Sequence, residues 1–123
     1  MAAEVIAIAS DHSGVDFKET LKEALGEVGL QVLDLGTNGY ESVDYPDFAE
    51  ALTSAIGKGR ADRGVLICGT GIGMSIAANR KSFIRAALCH SVTDARLSRQ
   101  HNNANVLVLG LSLIHISEPT RPY

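Results

Sequence analysis

The chain has 123 residues, which is enough for one domain with a single modest core. Its 46% hydrophobic content suits a compact globule, and its formal net charge of −3 argues against nucleic acid as a partner. No apolar run approaches the roughly 20 residues that span a bilayer, and the first residues do not resemble a signal peptide. We therefore expect a cytoplasmic protein without a membrane partner.

Short β-branched runs alternate with amphipathic stretches along the chain. In chain order we predict strand 4–9, helix 15–28, strand 31–35, helix 46–56, strand 64–68, helix 71–80, strand 84–89, helix 93–100 and strand 105–109. Strands that are apolar on both faces and alternate with helices indicate a parallel sheet covered by helices, with right-handed crossovers. The fold class is therefore α/β, with a five-stranded parallel Rossmann-like sheet.

The first predicted helix separates apolar from charged residues. The face expected to turn inward carries Phe17, Leu21, Ala24, Leu25 and Val28. Lys18 and Lys22 are interleaved with acidic residues and are expected to lie on a solvated face.

The third predicted strand runs into the glycine-rich sequence Cys68-Gly69-Thr70-Gly71-Ile72-Gly73-Met74-Ser75. Alternate glycines between a strand and a helix let backbone N–H groups approach an anion, so this loop is a candidate phosphate or oxyanion cradle. A dinucleotide motif would need glycine at Met74, and a P-loop would need Gly-Lys before a hydroxyl residue. A tight turn whose glycines serve packing alone is the alternative interpretation.

Cys68 ends the strand beside the start of the following helix. The positive end of a helix dipole favours the thiolate, so we expect a lowered pKa and a role in acid–base chemistry. Cys89 ends an apolar strand without such a loop and is interpreted as a small buried hydrophobe. Neither cysteine lies in a metal-binding spacing, so both are expected to be free thiols.

Two further polar segments allow a functional and a structural interpretation. Asp11 and His12 follow the first strand, where they could assist proton transfer and bind phosphate, or serve as a helix cap and an exposed side chain. His101 and Asn102 end the last predicted helix, where they could act in catalysis or in a C-cap.

Five motifs occur together and in order: Ser10-Asp11-His12-Ser13-Gly14, Asp44-Tyr45-Pro46, Cys68-Gly69-Thr70-Gly71-Ile72-Gly73, Ala77-Ala78-Asn79-Arg80 and Leu97-Ser98-Arg99-Gln100-His101-Asn102. With this combination the chain resembles the type B ribose-5-phosphate isomerases over residues 1–110. The resemblance implies a three-layer αβα sandwich, a homodimer with active sites at the subunit interface, and interconversion of ribose 5-phosphate and ribulose 5-phosphate through a cis-enediolate. It implies no metal and no other cofactor.

The resemblance also assigns residue roles. Cys68 matches the thiol that moves the proton between the first two sugar carbons, and Thr70 with the loop N–H groups matches the enediolate contacts. Asp11 matches a contact to sugar hydroxyls, His12 a phosphate contact and Tyr45 a pocket wall. His101 and Asn102 match the ring-opening groups, contributed by the partner subunit. The remaining substrate contacts expected in the loop are Gly69, Gly71, Gly73 and Ser75. A second branch of the family carries a glutamate base where Met74 stands, so the chain resembles the cysteine branch.

The resemblance stops after Gly110. Ser112 stands where the family has an arginine, and residues 111–121 resemble the translation of a transposon-type sequencing adapter. Pro119 and Pro122 would break a helix in this stretch. We therefore expect an isomerase domain at 1–110, a non-native tail at 111–123, and a last helix that is missing or replaced.

Two other functions stay open at this stage. One is an isomerase of another aldose phosphate, such as galactose 6-phosphate or allose 6-phosphate. The other is a non-catalytic phosphosugar-binding module, which would not need Cys68, Asp11 and His101 together.

Overall fold

The computed structural model describes residues 4–36 and 45–111, which form a five-stranded, all-parallel sheet with helices on both faces. The strands are β1 Val5–Ser10, β2 Gln31–Asp34, β3 Arg63–Cys68, β4 Ala86–Cys89 and β5 Val106–Gly110. The helices are α1 Val15–Glu27, α2 Tyr45–Gly57, α3 Ile72–Ala78 and α4 Val92–Asn102, and a 3-10 turn at His12–Gly14 precedes α1. All nine predicted elements are confirmed, with each boundary within two residues of its predicted position.

The strand order is β2-β1-β3-β5-β4. The chain steps outward from β1 to β2 and then returns past β1 to β3, so the order reverses between β1 and β3. Loops after two such strands diverge to opposite faces and leave a crevice at the carboxyl edge of the sheet, where ligands bind in open α/β folds. The first and third strands are neighbours, and their register pairs Ser10 with Ile67.

Two apolar clusters, one on each face of the sheet, join the three layers of the sandwich. On one face of the sheet, Ala7, Leu66 and Val108 pack with Leu52 of α2 and Met74 of α3. On the other face, a second cluster packs against α1. Its members are Ile6, Ile8, Val65, Ile67, Leu107, Leu109 and Leu111 from the sheet side, with Leu21 and Leu25 from α1. Alternate strand residues supply the two layers, as the period of two in a strand requires.

The predicted inward face of α1 is partly wrong. Phe17, Ala24 and Val28 are exposed, while Val15 and Lys18 are buried. The helix is therefore rotated by about one residue from the face that hydrophobicity alone selects. This rotation brings the Lys18 ammonium to the end of β2, where a carboxylate binds it.

Lys18 forms a buried ion pair, so its predicted place on a solvated face is wrong. Its Nζ lies 2.8 Å from Asp34 Oδ1, and Lys22 Nζ lies 2.8 Å from Oδ2 of the same carboxylate. The Gly36 N–H donates to Asp34 Oδ1 at 2.9 Å. Burial favours the neutral acid, but these hydrogen bonds outweigh it and hold the pKa of Asp34 below its usual value. The pair therefore stabilises the fold above the pKa of an unfolded aspartate, and this stabilisation is lost as the pH falls through the lower folded value.

The outer edge of β4 is partly closed by a side chain. Asn79 Nδ2 donates to the Ala86 carbonyl at 2.9 Å, and the Ala86 N–H donates to Asn79 Oδ1 at 2.8 Å. The amide thus makes the two hydrogen bonds that a neighbouring strand would make.

No helix within the two described segments, 4–36 and 45–111, is long and apolar enough to cross a membrane.

Candidate active site

Asp11 and Cys68 meet at the carboxyl edge of the sheet, where the strand order reverses. The Asp11 N–H donates to the Ile67 carbonyl at 3.1 Å, which places the carboxylate beside the residue that follows Ile67. The Ser10 N–H donates to the Gly36 carbonyl at 2.7 Å, so the same turn is also tied to the end of β2.

The Asp11 carboxylate also caps the 3-10 turn. Its Oδ1 accepts hydrogen bonds from the Ser13 N–H at 3.0 Å and from Ser13 Oγ at 2.5 Å. The structural interpretation of Asp11 is therefore confirmed, and it is compatible with a substrate contact because both of these bonds use Oδ1. His12 is exposed at the rim.

The Cys68 thiol is buried, with 5% of the residue exposed. The pKa of Cys68 is raised to about 11, mainly by burial and also by the charge of the Asp11 carboxylate, while a hydrogen bond from the Gly71 N–H acts in the opposite direction. The predicted lowering of this pKa is wrong for the single chain. The loop does present an N–H to the sulfur, as expected of an anion cradle, but loss of water around the thiolate outweighs it.

The glycines of the loop have different functions. Gly71 has φ +83°, and a Cβ there would lie 2.5 Å from Leu88 Cδ1, so this glycine is required by backbone conformation and by packing. A Cβ at Gly69 would meet nothing within 4 Å, so there is open space on that side of the residue. Gly73 is half-buried near the start of α3. The packing interpretation therefore holds for Gly71, and an accessible cradle is compatible with Gly69.

Gly110 has a structural role at the site, although it lies in none of the five sequence motifs. A Cβ on this residue would lie 2.1 Å from the Thr70 carbonyl oxygen, so the end of β5 contacts the backbone of the cradle directly. A glycine that ends a buried strand next to a ligand loop is the signal that points to such a close approach.

Two hydroxyl groups of the loop are bonded within it. Thr70 Oγ1 accepts from the Ile72 N–H at 3.3 Å, which leaves the hydroxyl proton available for a substrate oxygen. Ser75 Oγ donates to the Ile72 carbonyl at 2.8 Å, so its proton is engaged in the helix and its oxygen can accept. Tyr45 begins α2, but its side chain lies outside the described residues.

His101 and Asn102 lie at the other end of the molecule. Helix α4 starts directly after β4 at the carboxyl edge and runs for 11 residues, about 16 Å at the rise of an α-helix. Both residues are exposed in its last turn, and Asn103 ends the helix with φ 49°. The structure therefore does not bring His101 or Asn102 to Cys68 within one chain, and the C-cap interpretation is satisfied by Asn103.

Two cavities lie away from the site. One, of about 210 Å³, is an apolar groove between α1 and α4 lined by Leu25, Val65, Ala95 and Leu107 among others. The second, of about 320 Å³, is lined by polar and apolar groups that include Asn79, Arg85 and Asn102. Among the residues that the structure describes, no group of three histidine, cysteine or acidic side chains could hold a metal ion.

Comparison with known proteins places this arrangement in a family. Residues 6–121 match the profile of the Ribose/Galactose Isomerase family. The chain is 45% identical over 109 residues to ribose-5-phosphate isomerase B of Escherichia coli K12, covering 89% of this chain and 73% of that protein. It is 44% identical over 110 residues to D-erythrulose-4-phosphate isomerase of Pectobacterium atrosepticum, covering 89% of this chain and 72% of that protein.

The structure of a related protein supports the same family assignment. The ribose 5-phosphate isomerase of Thermotoga maritima superposes with a TM-score of 0.87 at 54% identity, covering 92% of this chain and 78% of that one. The three-layer α/β fold is confirmed by this likeness. The chain belongs to the ribose/galactose isomerase family and is an isomerase.

Proposed function

We propose that the chain interconverts ribose 5-phosphate and ribulose 5-phosphate. The observation that carries this assignment is the buried Cys68 thiol beside Asp11 and the glycine loop, in a chain of the isomerase family. A thiol can move a proton between adjacent carbons only where the enediolate between them is stabilised, and the loop N–H groups and Thr70 are suited to that task. A coupled assay of ketose formation from ribose 5-phosphate tests the assignment.

In the proposed mechanism, His101 and Asn102 of a second copy open the furanose ring before isomerisation. The Cys68 thiolate then removes the proton from C2 of the open aldose, and the electron pair forms the C1–C2 double bond of a cis-enediolate. The Cys68 thiol, whose proton can exchange with solvent, then protonates C1, and the hydroxyl proton on O2 is transferred to O1, so the ketose forms without gain or loss of electrons. Asp11 contacts the hydroxyls, His12 contacts the phosphate, and the loop N–H groups with Thr70 contact the enediolate.

A homodimer is part of this proposal. A single chain leaves His101 on the opposite edge of the sheet from Cys68, and neither cavity described above is lined by Cys68. Ile72 and Ile76, one turn apart on α3 beside the cradle, are 52% and 63% exposed. An apolar stripe next to an incomplete site supports burial against a second copy, whose α4 would bring its own His101.

Complementation between inactive variants tests this shared site. Cys68→Ala and His101→Ala chains are unfolded together and refolded as a mixture, so that half of the dimers are mixed on average. Each mixed dimer would have one site with intact Cys68 and intact His101, and we expect turnover to recover to about a quarter of wild type. Each variant refolded alone is the control. A mixture no more active than its components would contradict a site shared between subunits.

One relative acts on a four-carbon sugar phosphate, which suggests a second candidate substrate for this chain. D-Erythrulose-4-phosphate isomerase is as similar to this chain as the ribose-5-phosphate enzyme is, because the two identities are 44% and 45%. Proton transfer between C1 and C2 is the same for aldose phosphates of four, five or six carbons. Parallel assays on ribose 5-phosphate, erythrose 4-phosphate and galactose 6-phosphate therefore decide the preference. Binding without turnover on all three would favour the non-catalytic module.

A cytoplasmic location is also part of the proposal. Both cysteines are free and buried, as expected in a reducing compartment.

We further propose that residues 111–123 are not native sequence, although the match to the family model continues to residue 121. Residues 112–123 lie outside the described residues, and Leu111 is buried in the cluster under α1. The groove between α1 and α4 has an apolar floor at Val65 and Leu107, where a helix after β5 would pack.

Exchange of this tail is expected to raise activity. In a chimera, the residues after Gly110 are replaced by the corresponding segment of the Thermotoga maritima relative. We expect a larger dimer fraction and at least about tenfold higher turnover, because a helix over the groove and restored phosphate contacts would complete the site. Sedimentation and the coupled assay measure both. Equal dimerisation and activity in the original chain would show that the tail is functional.

A further inference from the structure

The end of α4 that carries His101 and Asn102 is held by two arginines. Arg85 Nε donates to the Asn102 carbonyl at 2.6 Å, and Arg99 Nη1 donates to the Ala104 carbonyl at 2.6 Å. The last carbonyls of a helix have no partner within it and lie at the negative end of its dipole, so a guanidinium is well placed there. Arg99 belongs to α4 itself, whereas Arg85 comes from another part of the fold.

Arg85 has a rigid base at the start of β4. Its backbone N–H donates to Asn105 Oδ1 at 2.8 Å, and its carbonyl accepts from the Asn105 N–H at 3.1 Å. Asn105 Nδ2 in turn donates to the Phe83 carbonyl at 3.0 Å. The Arg85 side chain therefore connects the end of α4 to the sheet, and it fixes where the last helical turn stands relative to the strands.

On this side the helix end borders a cavity. The cavity of about 320 Å³ lies between Arg85, Ala87 and Asn102, so side-chain packing is thin there. Asn102 and His101 are both exposed. A helix end with few packed neighbours frays readily, and a charged hydrogen bond to its last carbonyl restricts that motion.

We propose that Arg85 is a positioning residue for ring opening, acting through the Asn102 carbonyl on the placement of His101 and Asn102 in the partner's site. This inference rests on the proposed function of those two residues. A displacement of about 1 Å in a group that must meet a substrate atom can cost about a hundredfold in rate, so loss of one anchoring bond is sufficient to matter.

The test separates ring opening from proton transfer. Ribulose 5-phosphate has no furanose form, because its C5 oxygen carries the phosphate, and exchange of its C1 hydrogen with solvent needs the Cys68 step alone. We therefore measure two rates for Arg85→Met in this chain and in the chimera: conversion of ribose 5-phosphate, and solvent exchange at C1 of the ketose by NMR. We expect conversion to fall by about tenfold or more while exchange changes by less than about twofold. Arg85→Lys, which keeps the charge and one donor, should recover part of the loss.

Arg60→Met is the matched control. Arg60 is exposed and precedes β3 at the same edge of the sheet, so the change removes one positive charge from that edge without touching α4. Conversion should be unchanged in this variant. Equal losses of conversion and exchange in Arg85→Met, or no loss in either, would overturn the inference.

A double variant separates the positioning role of Arg85 from the ring-opening role of His101. If Arg85 acts through His101 and Asn102, adding Arg85→Met to His101→Ala should cost little more than His101→Ala alone. Full additivity would overturn the positioning role while leaving the function of His101 intact. If His101→Ala itself lost conversion and exchange equally, the ring-opening assignment would fail, and the inference would fail with it.

Discussion

Replacing Cys68 with alanine is expected to lower kcat for ribose 5-phosphate by about a hundredfold or more with little change in KM, as loss of a positioned base should. Solvent exchange at C1 of ribulose 5-phosphate should fall equally, because the thiolate makes both reactions. The variant removes one buried sulfur from the core face of β3, so thermal unfolding is measured alongside to exclude loss of fold.

Cys89→Ala is the control for this variant. Cys89 is also buried at the end of a strand, so its replacement removes the same atoms from a comparable environment. We expect near-normal conversion and exchange. Comparable turnover in Cys68→Ala would remove that thiol from the mechanism.

The raised pKa of Cys68 adds a pH signature to the same experiment. With a pKa of about 11 in the single chain, the thiolate makes up roughly one part in a thousand at pH 8. A base must be deprotonated to act, so kcat should increase as pH rises towards that pKa. If dimerisation brings cations to the site, the rise should shift to lower pH in the dimer. Cys68→Ala should lose the rise altogether.

His101→Ala is expected to separate the two halves of the reaction. Conversion of ribose 5-phosphate should fall by about a hundredfold, a typical contribution of a positioned acid or base, because the furanose no longer opens on the enzyme. Exchange at C1 of ribulose 5-phosphate should stay near wild type, since Cys68 and the glycine loop are unchanged. Turnover of erythrose 4-phosphate should also be largely preserved, because its C4 oxygen carries the phosphate and no furanose can form.

Gln100→Ala provides the control on the same helical turn. Gln100 is exposed next to His101, so its loss tests any general effect of trimming this end of α4. We expect no selective loss on ribose 5-phosphate. If His101→Ala slowed all three reactions alike, His101 would be assigned a structural role in place of ring opening.

The sequence predicts the layout of this protein well because its strands are short, apolar and separated by clear helical patterns. The positions of Asp11 and Cys68 at the carboxyl ends of adjacent strands follow from that alternation and from the parallel sheet. The rotation of α1 could not be predicted in this way. It places Lys18 against Asp34, and these two residues come together only when β2 is paired with β1 and α1 is packed on the sheet.

The chemistry of the site was harder to predict than its location. A helix start beside Cys68 suggested a lowered pKa, but the balance is decided by burial and by the Asp11 charge, which are properties of the packed structure. The distance between His101 and Cys68 could not be predicted from the sequence either. The motif identified His101, but only the length and direction of α4 show that it lies about 16 Å from the edge that carries Cys68.

The side chain of Asn79 protects the free edge of β4 against aggregation. A parallel strand turns alternate peptide groups outward, so two of the four residues of β4, Ala86 and Leu88, face the free edge of the sheet. Exposed strand edges are templates for aggregation, because a strand from another molecule can add to them. Asn79 already occupies the Ala86 position with both a donor and an acceptor. An incoming strand would find a single open peptide position at Leu88, which is too short a ladder to extend the sheet, so molecules are steered away from fibre-like growth along this edge.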